Sequence, residues 1–417
     1  MSLRHFTAAF LSARDGSFAV GAAVSLLAVA AVGGAAVDYT RLVSARTRLQ
    51  DLGDAAALAG AREFADVEAT SDDVREAVAE VLTLAASPGV RPTVAVDAAA
   101  HTVSVQLAES LLTTVLQVVG VDRLDVVAAS AAGVGRTTAP ICVLSLNDAS
   151  KQKGGLFLAK TARLDAGACV VWVNSTAKKA LVMGKGASVR SAKTCVAGGV
   201  KRKKNRPLNV DAPPQNCGYR PDPFAARRPL TPTACSHDKF DTRHGGAVTL
   251  RPGVYCGGLK LHADRVTLQP GTYVVRDGKL DMHSDGWIKG KGVAFVLEGK
   301  KSTVSLKGKG DVDLSAPLTG DLAGFVFFQR PDAAPKATAR LGGEGVLHYE
   351  GVLYFPTQRI VVGKRRAVKT GSPFTAYIAE SVVLKGAAGL SFGYDAQASV
   401  PPPPELMADI QTPYLLR

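Results

Sequence analysis

Two stretches of this chain repeat at a fixed interval: "GLKLHADRV", starting at Gly258, and "GKLDMHSDGW", starting at Gly278. Leu259, Leu261, His262 and Asp264 recur as Leu280, Met282, His283 and Asp285, each 21 residues later. Other stretches do the same at nearby intervals. "LFLAKTARLDAGACV" and "LVMGKGASVRSAKTCV" align at an offset of 25 or 26, so that Leu156 matches Leu181, Leu164 matches Val189 and Cys169 matches Cys195. "RPGVYCGG" and "QPGTYVVRDG" align at 18. Short β-rich runs that recur with Gly-rich corners are the pattern of one supersecondary unit per step. The spacing predicts a C-terminal β-solenoid (β-helix-like) domain over residues 141–398. An antiparallel sandwich with chance similarity between its strands is the alternative. Residues 200–245 interrupt the repeats with "VKRKKNRPLNV", several prolines and two cysteines, and read as a disulfide-stapled loop. Residues 399–417 form a Pro-rich tail.

Charge and cysteine usage divide the chain. Residues 1–140 carry 10 Arg, no Lys and 15 acidic residues, a net charge of −5. The remainder of the 417-residue chain carries the other 40 cations and 21 acids, a net charge of +19. All six cysteines, Cys142, Cys169, Cys195, Cys217, Cys235 and Cys256, fall in that second part. None forms a Cys-x-x-Cys pair. An even count at wide spacing fits disulfides better than zinc and implies oxidising surroundings, although spacing alone does not select a connectivity.

The N-terminal part opens with "FAVGAAVSLLAVAAVGGAAV", residues 18–37, a run without a charge. As a helix it would measure about 30 Å, the thickness of a bilayer core. It reads as a single N-terminal transmembrane helix after a cytoplasmic tail, residues 1–17. Arginines flank it on both sides, so orientation rests on the cysteines, which place the bulk of the chain outside the cytoplasm. Leu42, Ala45, Leu49, Leu52, Ala56 and Ala59 continue at a 3–4 spacing and predict a pilin-like stem helix over 38–65. Residues 66–138 read as a small α/β unit. Helices are expected near Asp72–Ala85 and over Glu109–Val119. Strands are expected at Thr93–Val96, Thr102–Leu107 and Leu124–Ala131. The fold class is thus mainly β with an N-terminal α part.

The stretch "RDGSFAVGAAVSLLAVAAVGGAAVDYTRLVSARTRLQDLGDAAALAGA" resembles the TadE/TadG-like proteins of Flp (tight adherence) pilus systems. Shared features are Gly-x-x-Ala-Val before the apolar span, Val-Asp-Tyr after it, and an Arg-Leu-Gln stem ending in Asp-Ala-Ala-Ala-Leu-Ala-Gly-Ala. Val173-Asn174-Ser175, Pro252 to Gly258 and "GVLYFP" from Gly351 resemble markers of TadG-related repeat regions. The resemblance implies a non-enzymatic, membrane-anchored envelope protein associated with Flp/Tad pilus assembly or surface adhesion. It would sit single-pass in the bacterial inner membrane, with its bulk in the periplasm. The implied partners are the inner membrane and pilin-like or Tad secretion components. Three departures stand out. No Glu follows Gly16-Ser17-Phe18, as prepilin processing would require. Asp148-Ala149-Ser150-Lys151-Gln152 lacks the second Ser of a von Willebrand A metal site. The repeat corners are often Gly-Lys-Gly, which makes the repeats basic.

Candidate chemistry centres on His262, Asp264, His283 and Asp285. Two His and two carboxylates one step apart are candidates for a divalent metal or for the paired carboxylates of polysaccharide chemistry. The competing reading is a polar corner, with Asp bonding backbone N–H groups, and the regular interval favours it. "CSHDKFDTRHGG" offers His237, Asp238, Asp241 and His244 at loose spacing and reads as a solvated loop. "GKKST" from Gly299 lacks the first glycine of a phosphate-binding loop, because Ala294 stands there. Lys201, Arg202, Lys203 and Lys204, with Lys364, Arg365 and Arg366, are candidates for an acidic partner such as an anionic glycan. They lack the aromatic interleaving of a single-strand nucleic-acid binder, and no nucleic-acid partner is expected. No catalytic constellation, metal or cofactor is expected. The alternative function is a polysaccharide-active or acidic-glycan-binding β-helix protein.

Overall fold

A computed structural model describes residues 17–64, 70–148, 154–201, 208–211, 213–243, 245–363, 367–368, 373–395 and 400–416. The chain divides into two compact units, one of Met1–Thr137 with Gln411–Arg417 and one of Thr138–Ile410.

In the first unit, helix α1 runs unbroken over Ser17–Glu63. Its first half leaves Val20, Val24, Leu26, Val29 and Val32 exposed, while its second half buries Leu49, Ala56, Ala57 and Ala61. These small residues admit helix α2, Ser71–Ala85, at close range. A Cβ on Gly60 would stand 2.7 Å from a Val78 methyl. Thr70 and Asp73 close a capping box at the start of α2. Both helices pack on the strands Arg91–Asp97, Thr102–Leu112 and Arg123–Ser145, which pair antiparallel. The helix expected over Glu109–Val119 is instead strand as far as Leu112, followed by a 3-10 turn at Leu116–Val119. Antiparallel pairing of Glu109 with Val126 and of Leu112 with Arg123 overrides the local helical pattern.

Four expectations built on the apolar run are corrected. Among the described residues no helix is long and apolar enough to cross a membrane; the run is the beginning of the long helix α1. The single-pass inner-membrane, periplasm-facing location loses its basis with the span. So do the membrane-anchored pilus-assembly or adhesion role and the partnership with the inner membrane and with pilin-like or Tad secretion components.

The second unit is built of parallel strands stacked in layers. Its principal ladder runs from His237–Asp241 through Gly253–Leu261, Gly271–Arg276, Val293–Glu298, Phe325–Gln329 and Leu347–Val362 to Thr375–Leu384. The next strand is not further along the chain. It is the end of Arg123–Ser145, followed by Arg163–Val173 and Ser188–Val196. The chain therefore enters the stack in its middle, builds one end, and returns to build the other end towards its own entry point.

The expected β-solenoid, winding once from 141 to 398, is corrected on this account. Eight strands moreover close a circuit of parallel pairings, a closed parallel β-barrel core. Gly253–Leu261 pairs through its first half with Gly271–Arg276 and through its second half with Lys279–His283. The circuit continues on one side through Val293–Glu298 and Phe325–Gln329. On the other it continues through Thr303–Lys307 and Thr338–Leu341. Both arms end on Leu347–Val362. Positive φ at Gly257 (70°) and Gly258 (117°) lets the first strand change direction between its two halves. The acidic-glycan or polysaccharide role that leaned on a solenoid is set aside with it.

The interior is one apolar cluster. Rings follow one another from layer to layer: Tyr255, Tyr273, Phe295, Phe327 and Phe355, with centroids 5.4–6.1 Å apart. Neighbouring rings at these separations add to the stabilisation given by burial.

Candidate functional site

Two places carry the most concentrated polar chemistry of the second unit. One is the His-Asp corner that the repeats single out. The other is a segment, residues 217–236, that the repeats do not reveal.

The His-Asp pairs stack as their interval implies, with Leu259 beside Leu280 and Leu261 beside Met282. The His262 and His283 rings lie 6.0 Å apart, edge to face. The four side chains do not converge. His262 Nδ1 faces Asp241 Oδ1 at 3.3 Å. Asp285 Oδ1 accepts the Lys309 N–H at 3.3 Å. The main-chain oxygen of Asp264 accepts the Ser284 hydroxyl at 2.7 Å and the Trp287 N–H at 2.8 Å. Thr242 Oγ1 accepts the N–H groups of both His262 and Ala263. These are the bonds of a turn repeated in successive layers. Burial raises the Asp241 carboxyl, but the Arg243 N–H, His262 and Lys260 outweigh it and hold the group below its ordinary value. Among the described residues no three His, Cys, Asp or Glu side chains gather as metal ligands would.

The remaining sequence candidates separate. His237 stacks on Tyr255 at 4.9 Å, Asp241 belongs to the corner just described, and His244 lies outside the described residues. In "GKKST", the Ser302 hydroxyl is buried and donates to the Val275 and Glu298 carbonyls, which makes it a structural tie. Of the basic candidates, Lys201 ends the strand Val200–Lys201 and is exposed. Arg202, Lys203, Lys204, Lys364, Arg365 and Arg366 lie outside the described residues.

The six cysteines pair in chain order: Cys142–Cys169, Cys195–Cys217 and Cys235–Cys256, with no cysteine left free. The second and third bonds hold the two ends of the segment between Cys217 and Cys235. Because the chain enters its stack in the middle, it must travel back from one end to the other, and this segment makes the journey. Its contacts follow the layers in strict order. The Trp172 indole N–H donates to the Gly218 carbonyl at 3.2 Å, and Asn174 exchanges two hydrogen bonds with the Arg220 backbone, at 2.7 and 2.9 Å. The Tyr354 hydroxyl donates to Asp222 at 2.7 Å. Phe224, fully buried, meets the Phe325 and Tyr354 rings edge-on at 4.8 and 5.6 Å. The Thr231 hydroxyl donates to Glu298 at 2.9 Å, and Arg276 donates to the Pro232 and Thr233 carbonyls. Arg276 and Arg330 both pair with Glu298.

From Trp172's strand to that of Val254 there are seven strand steps, about 34 Å at ordinary strand spacing. Pro221, Pro223, Pro229 and Pro232 restrict the strap's backbone on either side of a turn at 223–226 and have no N–H to satisfy. Burial pushes the Tyr354 phenol far above its ordinary value, and Asp222 pushes it further, so it remains a donor. Burial likewise lowers the Arg220 guanidinium, whose face lies over the Trp172 ring. In the sequence, residues 200–245 read as a disulfide-stapled loop. The strap is not legible there, because Asp222, Phe224 and Arg220 belong to no repeat.

In the first unit, Asp38 is the residue that pattern alone overlooked. Its buried carboxylate accepts the N–H groups of Thr114, Val115 and Leu116 at 2.9–3.0 Å. Those bonds, Leu116 first, then Val115 and Thr114, hold its pKa at about 2. Gly34, one turn earlier, leaves room for the Val115 side chain, which a Cβ there would overlap.

The comparisons with known proteins touch only this helix. The Tad family model, described as "Putative Flp pilus-assembly TadE/G-like", matches residues 16–63. A match of that extent marks a distant relation to the TadE/G superfamily and leaves the rest of the chain unassigned. No curated protein matches the chain. No solved structure matches it.

Proposed function

We propose that this chain is a non-catalytic structural protein, a strapped and disulfide-clamped β scaffold that works in oxidising surroundings and carries a TadG-related helix at its N-terminus. The observation that carries this reading is the pairing of all six cysteines, two of the three bonds clamping the ends of one return strap. Residues that a catalytic reading would single out serve turns, and the strap's polar groups serve the strap. The relation of α1 to the TadE/G superfamily supports the same class of protein.

A complementation experiment tests the proposal in cells that lack the gene. The variant His262→Gln/Asp264→Asn/His283→Gln/Asp285→Asn is expected to restore the wild-type phenotype fully, whereas Cys235→Ser/Cys256→Ser restores it poorly. A quadruple variant that folds normally and yet fails to complement would overturn the non-catalytic reading. Free thiols trapped in protein taken directly from cells would overturn the oxidising one.

A further inference from the structure

One outward-facing row of the second unit changes character along its length. In the first layers it alternates in charge: Asp241, Lys260 and Asp281 stand in register, with Lys260 and Asp241 3.7 Å apart. Alternation of this kind is how an exposed row of side chains stays solvated and paired. The same row continues through Ser305, which is buried, and the exposed Arg340. It then becomes apolar over four consecutive layers, Val361, Val383, Phe157 and Val182, and ends on Lys201. Four layers make a stripe about 14 Å long. Phe157 at its centre is 39% exposed.

A groove of about 550 Å³ lies along the stripe. Phe157, Val182 and Val383 supply its apolar wall, and Lys179, Lys201 and Arg359 its cations; among the described residues no carboxylate lines it. Arg359 donates to the Ser381 hydroxyl at 3.1 Å, a neutral partner, and among the described residues no carboxylate pairs with it. An apolar wall with unneutralised cations selects for a partner that has both properties in reverse. We propose that this groove docks an acidic protein segment that carries apolar side chains. A purely ionic polymer would leave Phe157 and the valines in water. A neutral apolar segment would leave the three cations without partners. The inference uses neither the strap nor the disulfides, so the scaffold reading stands or falls separately.

The probe is a fluorescein-labelled decapeptide of alternating Glu and Leu, titrated with the full chain by fluorescence anisotropy. Controls are an all-Glu decapeptide and an alternating Ser-Leu decapeptide. The Glu-Leu peptide is expected to bind at least tenfold more tightly than either control, and to weaken several-fold when salt shortens the screening length from about 14 to about 6 Å. Phe157→Asp is expected to weaken it at least tenfold. Lys179→Glu, at an exposed position that leaves the fold intact, is expected to weaken it several-fold. Equal binding of the all-Glu peptide, indifference to both substitutions, or no measurable binding would each overturn the proposal.

Discussion

Asp38 and Phe224 each help to fix, with one side chain, a stretch of chain that lies outside the strand ladders. The Asp38 carboxylate is held at about pKa 2 by three backbone N–H groups, below the ordinary value of 3.8. A depressed carboxyl contributes stability that is fully present above the unfolded value and is lost as pH falls through the folded one. Amide exchange at Thr114, Val115 and Leu116 is therefore expected to accelerate as pH drops from about 4 towards 2, after correction for intrinsic exchange. In Asp38→Asn those amides exchange fast already at neutral pH, while α2 keeps its protection. Unchanged protection in Asp38→Asn would show that the turn holds itself. Phe224 is the apolar counterpart. Removing a fully buried Phe costs about 3–5 kcal/mol. Phe224→Ala is thus expected to lower the melting temperature of the second unit by roughly 6–15 °C, read by differential scanning calorimetry. A shift below about 2 °C would mean that the strap is not anchored there.

At the scale of elements, the strap is the piece whose stability depends most on covalent bonds. It is proline-rich and lies across strands without joining their ladder, so side-chain ties and its two end bonds hold it. The Cys235–Cys256 bond closes a loop of 21 residues. Chain entropy values such a closure at about 3 kcal/mol. Cys235→Ser/Cys256→Ser is expected to melt several degrees lower and to become sensitive to trypsin at Arg227; the Arg228–Pro229 bond is not a trypsin site. The wild-type chain is expected to resist there, because Arg227 pairs with Glu405 at 2.9 Å. Cleavage at equal rates in the two proteins would contradict the clamp. Much of the element level was legible in the sequence. The 21-residue interval became a parallel register of Leu259 on Leu280, and the helix expected near Asp72–Ala85 became α2, Ser71–Ala85. Residues 109–112 were not legible as strand, because an antiparallel partner 11 to 17 residues away outweighed their helical spacing. The apolar run of α1 misled in the opposite direction. Its composition suits a bilayer, yet no described helix is long and apolar enough to cross one.

At the scale of the whole molecule, the order of layers in space differs from their order in the chain, and repeats alone do not encode this. Intervals identify which strands are alike. They do not say that Thr375–Leu384 is followed by Ile141 to Ser145 rather than by an end of the stack. The closing pairs join residues more than 220 positions apart, such as Tyr377 with Val143 and Val382 with Leu156. Layer order also decides which covalent bonds hold the halves together. All three disulfides join cysteines on the same side of Leu230, an 88% exposed residue of the strap. A chain with a protease site inserted between Pro229 and Leu230 is therefore held after cleavage only by non-covalent contact between its two parts. The cut protein is expected to elute from a sizing column as one species of unchanged volume, because the junction buries Tyr377, Ile378, Val382, Val143, Leu144 and Leu156 completely. In denaturing gels it is expected to run as two fragments even without reductant. Fragments that separate under native conditions would contradict the layer order. Fragments that stay joined in denaturant until reduced would contradict the disulfide pairing.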